Sequence, residues 1–188
     1  MNQDPKERII LGIDPGTIYL GFAVVGIREK NIRVIDIGHL NLKSFNDQHE
    51  KLANIYAQLC NMMEKFGPHE FAIEAPFYGK NVQSMLKLGR AQGVCIAVAM
   101  KYKLETTEYT PKKIKLSIAG NGNASKEQVA RMIEKQFNIL LNDFSLDATD
   151  ALSVALCHAM RNKSTITKSS SKGWKSFLSN NPERIIQS

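Results

Sequence analysis

Two apolar runs open the chain, "IILGID" at 9–14 and "GFAVVGI" at 21–27, parted by "PGTIYL". Short apolar runs closed by turn residues predict buried strands. "NIRVIDIGHL" alternates apolar and polar positions and predicts a third, half-exposed strand over about 32–38. The period then changes. Leu52, Ile55, Tyr56, Leu59 and Met63 keep helical spacing in a helix over about 47–66, stopped by Gly67-Pro68. "EFAIEA" predicts a fourth strand, ending on Glu74, and "PFYGKN" a loop. A long helix over about 81–101 follows, lined with Gly89, Ala91, Gly93, Ala97 and Ala99, and "KLETTEY" is the fifth strand.

Three further helices complete the pattern. Thr110-Pro111 reads as an N-cap and first helical residue. After the glycine turn "AGNGN", "SKEQ" (Ser125 to Gln128) is a capping box opening a helix to about Phe137. The last helix covers about 146–161. The expected class is α/β: a five-stranded mixed sheet flanked by helices, with three antiparallel strands first and the others reached through helices. Residues 1–161 form the expected domain. Residues 162–188 read as a Ser/Lys-rich linker, "NKSTITKSSSKG", and a C-terminal tail containing "WKSFLSNNPERI".

Composition narrows the function. With 188 residues the chain is sized for one compact domain with a sizeable core. No apolar run reaches the roughly 18 residues of a spanning helix. "MNQDPKERII" shows no apolar signal region, and Cys60, Cys95 and Cys157 match no zinc spacing. A cytoplasmic protein with reduced thiols and no membrane partner is expected. The net charge of +7 favours a polyanionic partner, above all nucleic acid.

Within this basic chain four acids stand out by position. Asp14 ends the first strand, Glu74 ends the fourth, and Asp147 and Asp150 open the last helix at i, i+3 on one face. Each alone has an ordinary explanation as a turn residue, a strand end or a helix-dipole partner. Together, with strands one and four side by side and the helix packed over their ends, they would form a single anionic pocket. Clustered carboxylates repel at neutral pH, and hard divalent cations relieve that repulsion. An oxygen-only ligand set suits Mg²⁺ or Mn²⁺, and paired ions are the usual clamp for phosphodiester chemistry.

The segments "LGIDPGTIYLGFAVV", "AIEAPFYGKNVQSMLKLGRAQGV", "EYTPKKIKLSIAGNGNASKEQV" and "DATDALSVALCHA" resemble, in order, the characteristic segments of the bacterial RuvC family. The likeness runs from about residue 9 to 160. These are crossover junction endodeoxyribonucleases, or Holliday junction resolvases, with an RNase H-like fold. The resemblance implies a homodimer that cuts two opposed strands of a four-way DNA junction, leaving 5′-phosphate and 3′-hydroxyl ends, with two Mg²⁺ per site (Mn²⁺ as substitute) held by Asp14, Glu74, Asp147 and Asp150. Some relatives have His where this chain has Asp147. It also implies DNA contacts from Lys115, Lys126 and Lys80, and a junction wedge at Phe77 shared with Tyr78. The small-residue helix at 81–101 would contribute to the dimer interface, and a RuvA/RuvB-type branch-migration complex would be the partner.

Other classes stay open on the residues alone. "DPGT" also suits the phosphate loop of a kinase or ATPase, although 188 residues leave little room for its second lobe. A non-catalytic DNA scaffold gains nothing from clustered acids. An RNA-processing nuclease of the same fold is harder to separate. His158 reads as a core or surface histidine, and Met62 and Met63 as helix filler.

Overall fold

The computed structural model describes residues 7–29, 31–76, 81–141 and 144–161. Its elements are β1 (Arg8–Asp14), β2 (Tyr19–Arg28), β3 (Asn31–Asn41), α1 (Gln48–Phe66), β4 (Glu70–Glu74), α2 (Val82–Lys101), β5 (Thr106–Tyr109), α3 (Pro111–Ala119), α4 (Lys126–Phe137) and α5 (Leu146–Arg161). The five strands form one sheet in the order β3-β2-β1-β4-β5. β1, β2 and β3 pair antiparallel, while β1–β4 and β4–β5 pair parallel. This is the mixed sheet expected from the sequence. No helix among the described residues is long and apolar enough to cross a membrane.

Strand alternation splits the core in two. Leu11, Ile13, Leu20, Val24, Phe71 and Ile73 face one side and pack with Leu59 of α1 and Cys95 of α2. Ile10, Ala23 and Val25 face the other, against Val129 of α4 and Leu152 and Leu156 of α5. The period-two pleat therefore sends Gly12 and Asp14 to the α5 side, together with Ala72 and Glu74.

Helix α5 lies directly on β1 and β2. A Cβ on Gly12 would stand 2.7 Å from the Cβ and backbone nitrogen of Ala155, and one on Gly21 would stand 2.0 Å from the Asp147 carbonyl oxygen. Only glycine admits backbone that close. The main chain at these two positions sets the height of α5 over the sheet.

Several ends differ from the sequence expectation. β3 continues to Asn41, with a register shift opposite Val24 and Val25. β5 begins at Thr106, because α2 ends in a turn with Lys103 at φ 59° and a bond from the Leu104 N–H to the Ala99 carbonyl. The Thr110 cap and the Ser125–Gln128 capping box form as expected.

Candidate active site

One row of residues crosses the α5 side of the sheet. Asp14 pairs with Gly21 and Gly21 with His39. Glu74 follows the Ile13–Ile73 pair on the parallel partner strand and itself pairs with Tyr109. The row thus reads His39, Gly21, Asp14, Glu74, Tyr109. α5 begins above its centre, where the Asp147 carbonyl meets Gly21. Asp147 is on the first turn of α5 and Asp150 faces the cleft one turn later.

The acids act on one another. Burial first, then the charges of Glu74 and Asp150, push the Asp14 carboxyl up to about 8, against the pull of Lys126. Burial and Asp150 likewise push Glu74 up to about 7, opposed by Lys126 and Lys115. Both shifts express desolvation plus like charge.

Lys126 is the counterweight. Its ammonium donates a hydrogen bond to Asp150 Oδ2 in an ion pair. Burial alone would lower this lysine, but the Asp150 bond and the charges of Asp14 and Glu74 hold it above its ordinary value. Helix α4 delivers Lys126 at its first position, fixed by the Ser125 cap. Lys115 comes from α3, which Thr110 caps. Both lysines, with Glu74 and Asp150, line a cleft of ≈ 330 Å³ floored by Ile114 and Val129.

The donor set fits a hard divalent cation. It is all carboxylate oxygen, and burial together with like charge raises the proton affinity of Asp14 and Glu74, a penalty on the charged form that a bound cation offsets. Among the described residues no three His, Cys, Asp or Glu side chains close on a single point as a finished ligand shell. Mutually repelling carboxylates have no reason to close without a cation between them. Phe77, Tyr78 and Lys80, expected to touch DNA, lie outside the described residues, as does the tail from 162.

Two parts of this region escaped the sequence analysis. Ser145 caps α5: its Oγ accepts from the Ala148 N–H at 3.3 Å, and its carbonyl accepts from the Thr149 N–H at 3.0 Å. A serine just ahead of a periodic helix is a legible cap signal. His39 Nδ1 sits 2.9 Å from that same Oγ, a contact across 106 positions that no local pattern announces. His158, read as a core or surface residue, is buried. Its Nε2 lies 2.7 Å from Glu70 Oε2 and its Nδ1 lies 2.8 Å from the Tyr109 hydroxyl.

Comparison with known proteins identifies the family and the fold. The family model for "Crossover junction endodeoxyribonuclease RuvC" matches residues 10–158. A protein of that name from Christiangramia forsetii is 49% identical over 180 residues, covering 96% of this chain and 94% of its own. One from Bacteroides fragilis is 46% identical over 187 residues, covering 98% and 100%. The solved structure of T. thermophilus RuvC in complex with Holliday junction substrate superposes with a TM-score of 0.78 at 26% identity, covering 84% of this chain and 96% of that one. The architecture shared with such resolvases is the RNase H-like fold expected from the sequence.

Proposed function

Because the chain belongs to the RuvC family of crossover junction endodeoxyribonucleases, whose nucleases are metal-dependent, we propose that the pocket at Asp14, Glu74, Asp147 and Asp150 is its cutting centre and the Holliday junction its substrate. The observation that carries the reading is electrostatic. Burial and the neighbouring acids, Asp150 of α5 among them, raise the proton affinity of Asp14 on β1 and Glu74 on β4, beside a cleft whose rim carries Lys115 and Lys126. A pocket that repels phosphate unless cations fill it, edged by groups that attract phosphate, suits metal-assisted cleavage of a polyanion.

The four carboxylates would hold two Mg²⁺, with Mn²⁺ as substitute. Such ions, when bound, would supply a lowered pKa for an attacking water and charge stabilisation for the leaving 3′ oxygen. The chain's own groups do the rest. Asp14 and Glu74, side by side on parallel strands, anchor one wall of the pocket, and Asp147 and Asp150 close it from above. Lys126, which pairs with Asp150 here, would be free to hold a DNA phosphate once a cation engaged that carboxylate, and Lys115 would grip the backbone along the cleft. The products carry 5′-phosphate and 3′-hydroxyl ends. Phe77, with Tyr78 sharing the task, is assigned to the junction centre, and Lys80 to DNA binding.

Cutting two opposed strands needs two such pockets. Val82, Leu86 and Met100 are exposed along α2, and the Cβ positions of Gly89 and Gly93 meet nothing within 4 Å, so this helix offers a close-packing face to a second copy. We assign the chemistry to residues 1–161, with 162–188 as an appended segment, in a cytoplasmic homodimer served by a RuvA/RuvB-type branch-migration complex.

A labelled four-way junction, a linear duplex and an RNA/DNA hybrid, each with Mg²⁺, Mn²⁺ or EDTA, test the assignment. Paired, ligatable nicks in the junction alone, abolished by EDTA, are expected. Cutting that survives EDTA, or that favours the hybrid, overturns it.

A further inference from the structure

We propose that His39 is a positioning residue for the acids of α5, acting through Ser145; this rests on the pocket described above being the cutting centre. His39 stands on the same face of the sheet as Asp14, one strand beyond Gly21 in the same row. At two strand spacings, about 10 Å from Asp14, it lies beyond the pocket itself and serves no carboxylate directly. Its Nδ1 instead meets Ser145 Oγ at 2.9 Å.

That hydroxyl is already engaged. Ser145 Oγ accepts from the Ala148 N–H, and the Ser145 carbonyl accepts from the Thr149 N–H and Thr149 Oγ1. A hydroxyl has one proton and two lone pairs. With the proton on His39 Nε2, the Ser145 O–H donates to Nδ1 and its lone pair is left aimed at the helix. The imidazole therefore fixes the cap rotamer. Asp147 lies between the cap and the amide it holds, and Asp150 follows three residues later. Tyr19 steadies the ring edge-on, with centroids 5.1 Å apart. His39 is exposed and Ser145 half-buried, so both can be changed without opening the core. The histidine thus ties the edge strand of the sheet to the helix that supplies half of the acids.

Three substitutions separate this role from simple packing. His39→Phe keeps the ring and its contact with Tyr19 but removes the nitrogen. His39→Asn removes the ring but returns a polar atom near the place of Nδ1. Ser145→Ala removes the shared hydroxyl. The Mg²⁺ concentration for half-maximal junction cutting is expected to rise roughly threefold to tenfold in His39→Phe and Ser145→Ala, the size of a weakened cap. His39→Asn should stay near the parent, and the Phe/Ala double variant should be no worse than Ser145→Ala alone. Junction affinity in EDTA should not move. Amide exchange at Ala148 and Thr149, measured without metal or DNA, should quicken in the same order. A His39→Phe protein with parental exchange and parental metal dependence, an Asn variant worse than Phe, or additive losses would each overturn the proposal. If the parent protein fails to cut junctions at all, the assigned function falls instead, and the exchange data alone decide the tie between His39 and α5.

Discussion

Replacing Asp14 by Asn should abolish cutting and at the same time stabilise the metal-free protein. The Asp14 carboxyl sits at about 8 in the fold against an ordinary 3.8. Between those values the unfolded chain has released the proton and the folded chain retains it, so stability falls as pH rises. Each unit is worth about 1.4 kcal/mol, which sets a ceiling near 6 kcal/mol for the full interval. Glu74, raised to about 7, shares the same repulsion and cannot be counted again. Solvent entering the open cleft screens the charges further, leaving about 2 kcal/mol at pH 8. For a domain of this size that is a gain of about 4–8 °C in Tm. The asparagine keeps the shape, loses the charge and can donate its amide to a neighbouring carboxylate. Thermal melts of both proteins in EDTA at pH 4 and pH 8 make the comparison. The gap should be near zero at pH 4 and should open in favour of Asp14→Asn by pH 8. Saturating Mg²⁺ should then close it by raising the parent, since a ligand at 100 times its Kd adds about 2.7 kcal/mol. A variant less stable than the parent at pH 8, or a gap independent of pH, would refute the crowded-acid account of the pocket.

Other expectations follow from the same geometry. Gly12→Ala places a methyl 2.7 Å from Ala155 and should cost about 2–3 kcal/mol, read as a lower denaturation midpoint; an unchanged midpoint would mean that α5 does not rest on β1. Tyr109→Phe strips His158 Nδ1 of its buried partner and should cost about 1–3 kcal/mol by the same measurement. Burial holds the His158 imidazole below its ordinary 6.5, although Glu70 pulls the other way. The unfolded chain therefore takes up a proton first as pH falls through 6.5, and the parent should lose stability there while His158→Gln does not. Lys126→Ala should weaken junction binding and reduce the slope of log affinity against log salt by about one; an unaltered slope would remove this lysine from the phosphate contacts.

The chain order of elements is legible because each carries a local signal. β1 and β2 are apolar runs, α1 is a 3.6-residue stripe, and α3 and α4 announce themselves by Thr110-Pro111 and Ser125–Gln128. The acids are legible for the same reason, since each sits where an element starts or stops. What the sequence withholds is register and side-chain partners across distance. The length of β3 depends on its register with β2, and the late start of β5 on a left-handed residue at Lys103. The coupling of Lys126 to Asp150 joins two helices. The Glu70–His158–Tyr109 chain joins residues up to 88 positions apart, and periodicity carries no information at that range.

The seating of α5 on Gly12 and Gly21 has an evolutionary corollary. Because the main chain sets the height of α5 over the sheet, loops and apolar neighbours away from the pocket are free to drift while every side chain remains barred from those two positions. A random screen for inactive variants should return the two glycines alongside the acids, although neither glycine touches DNA or cation.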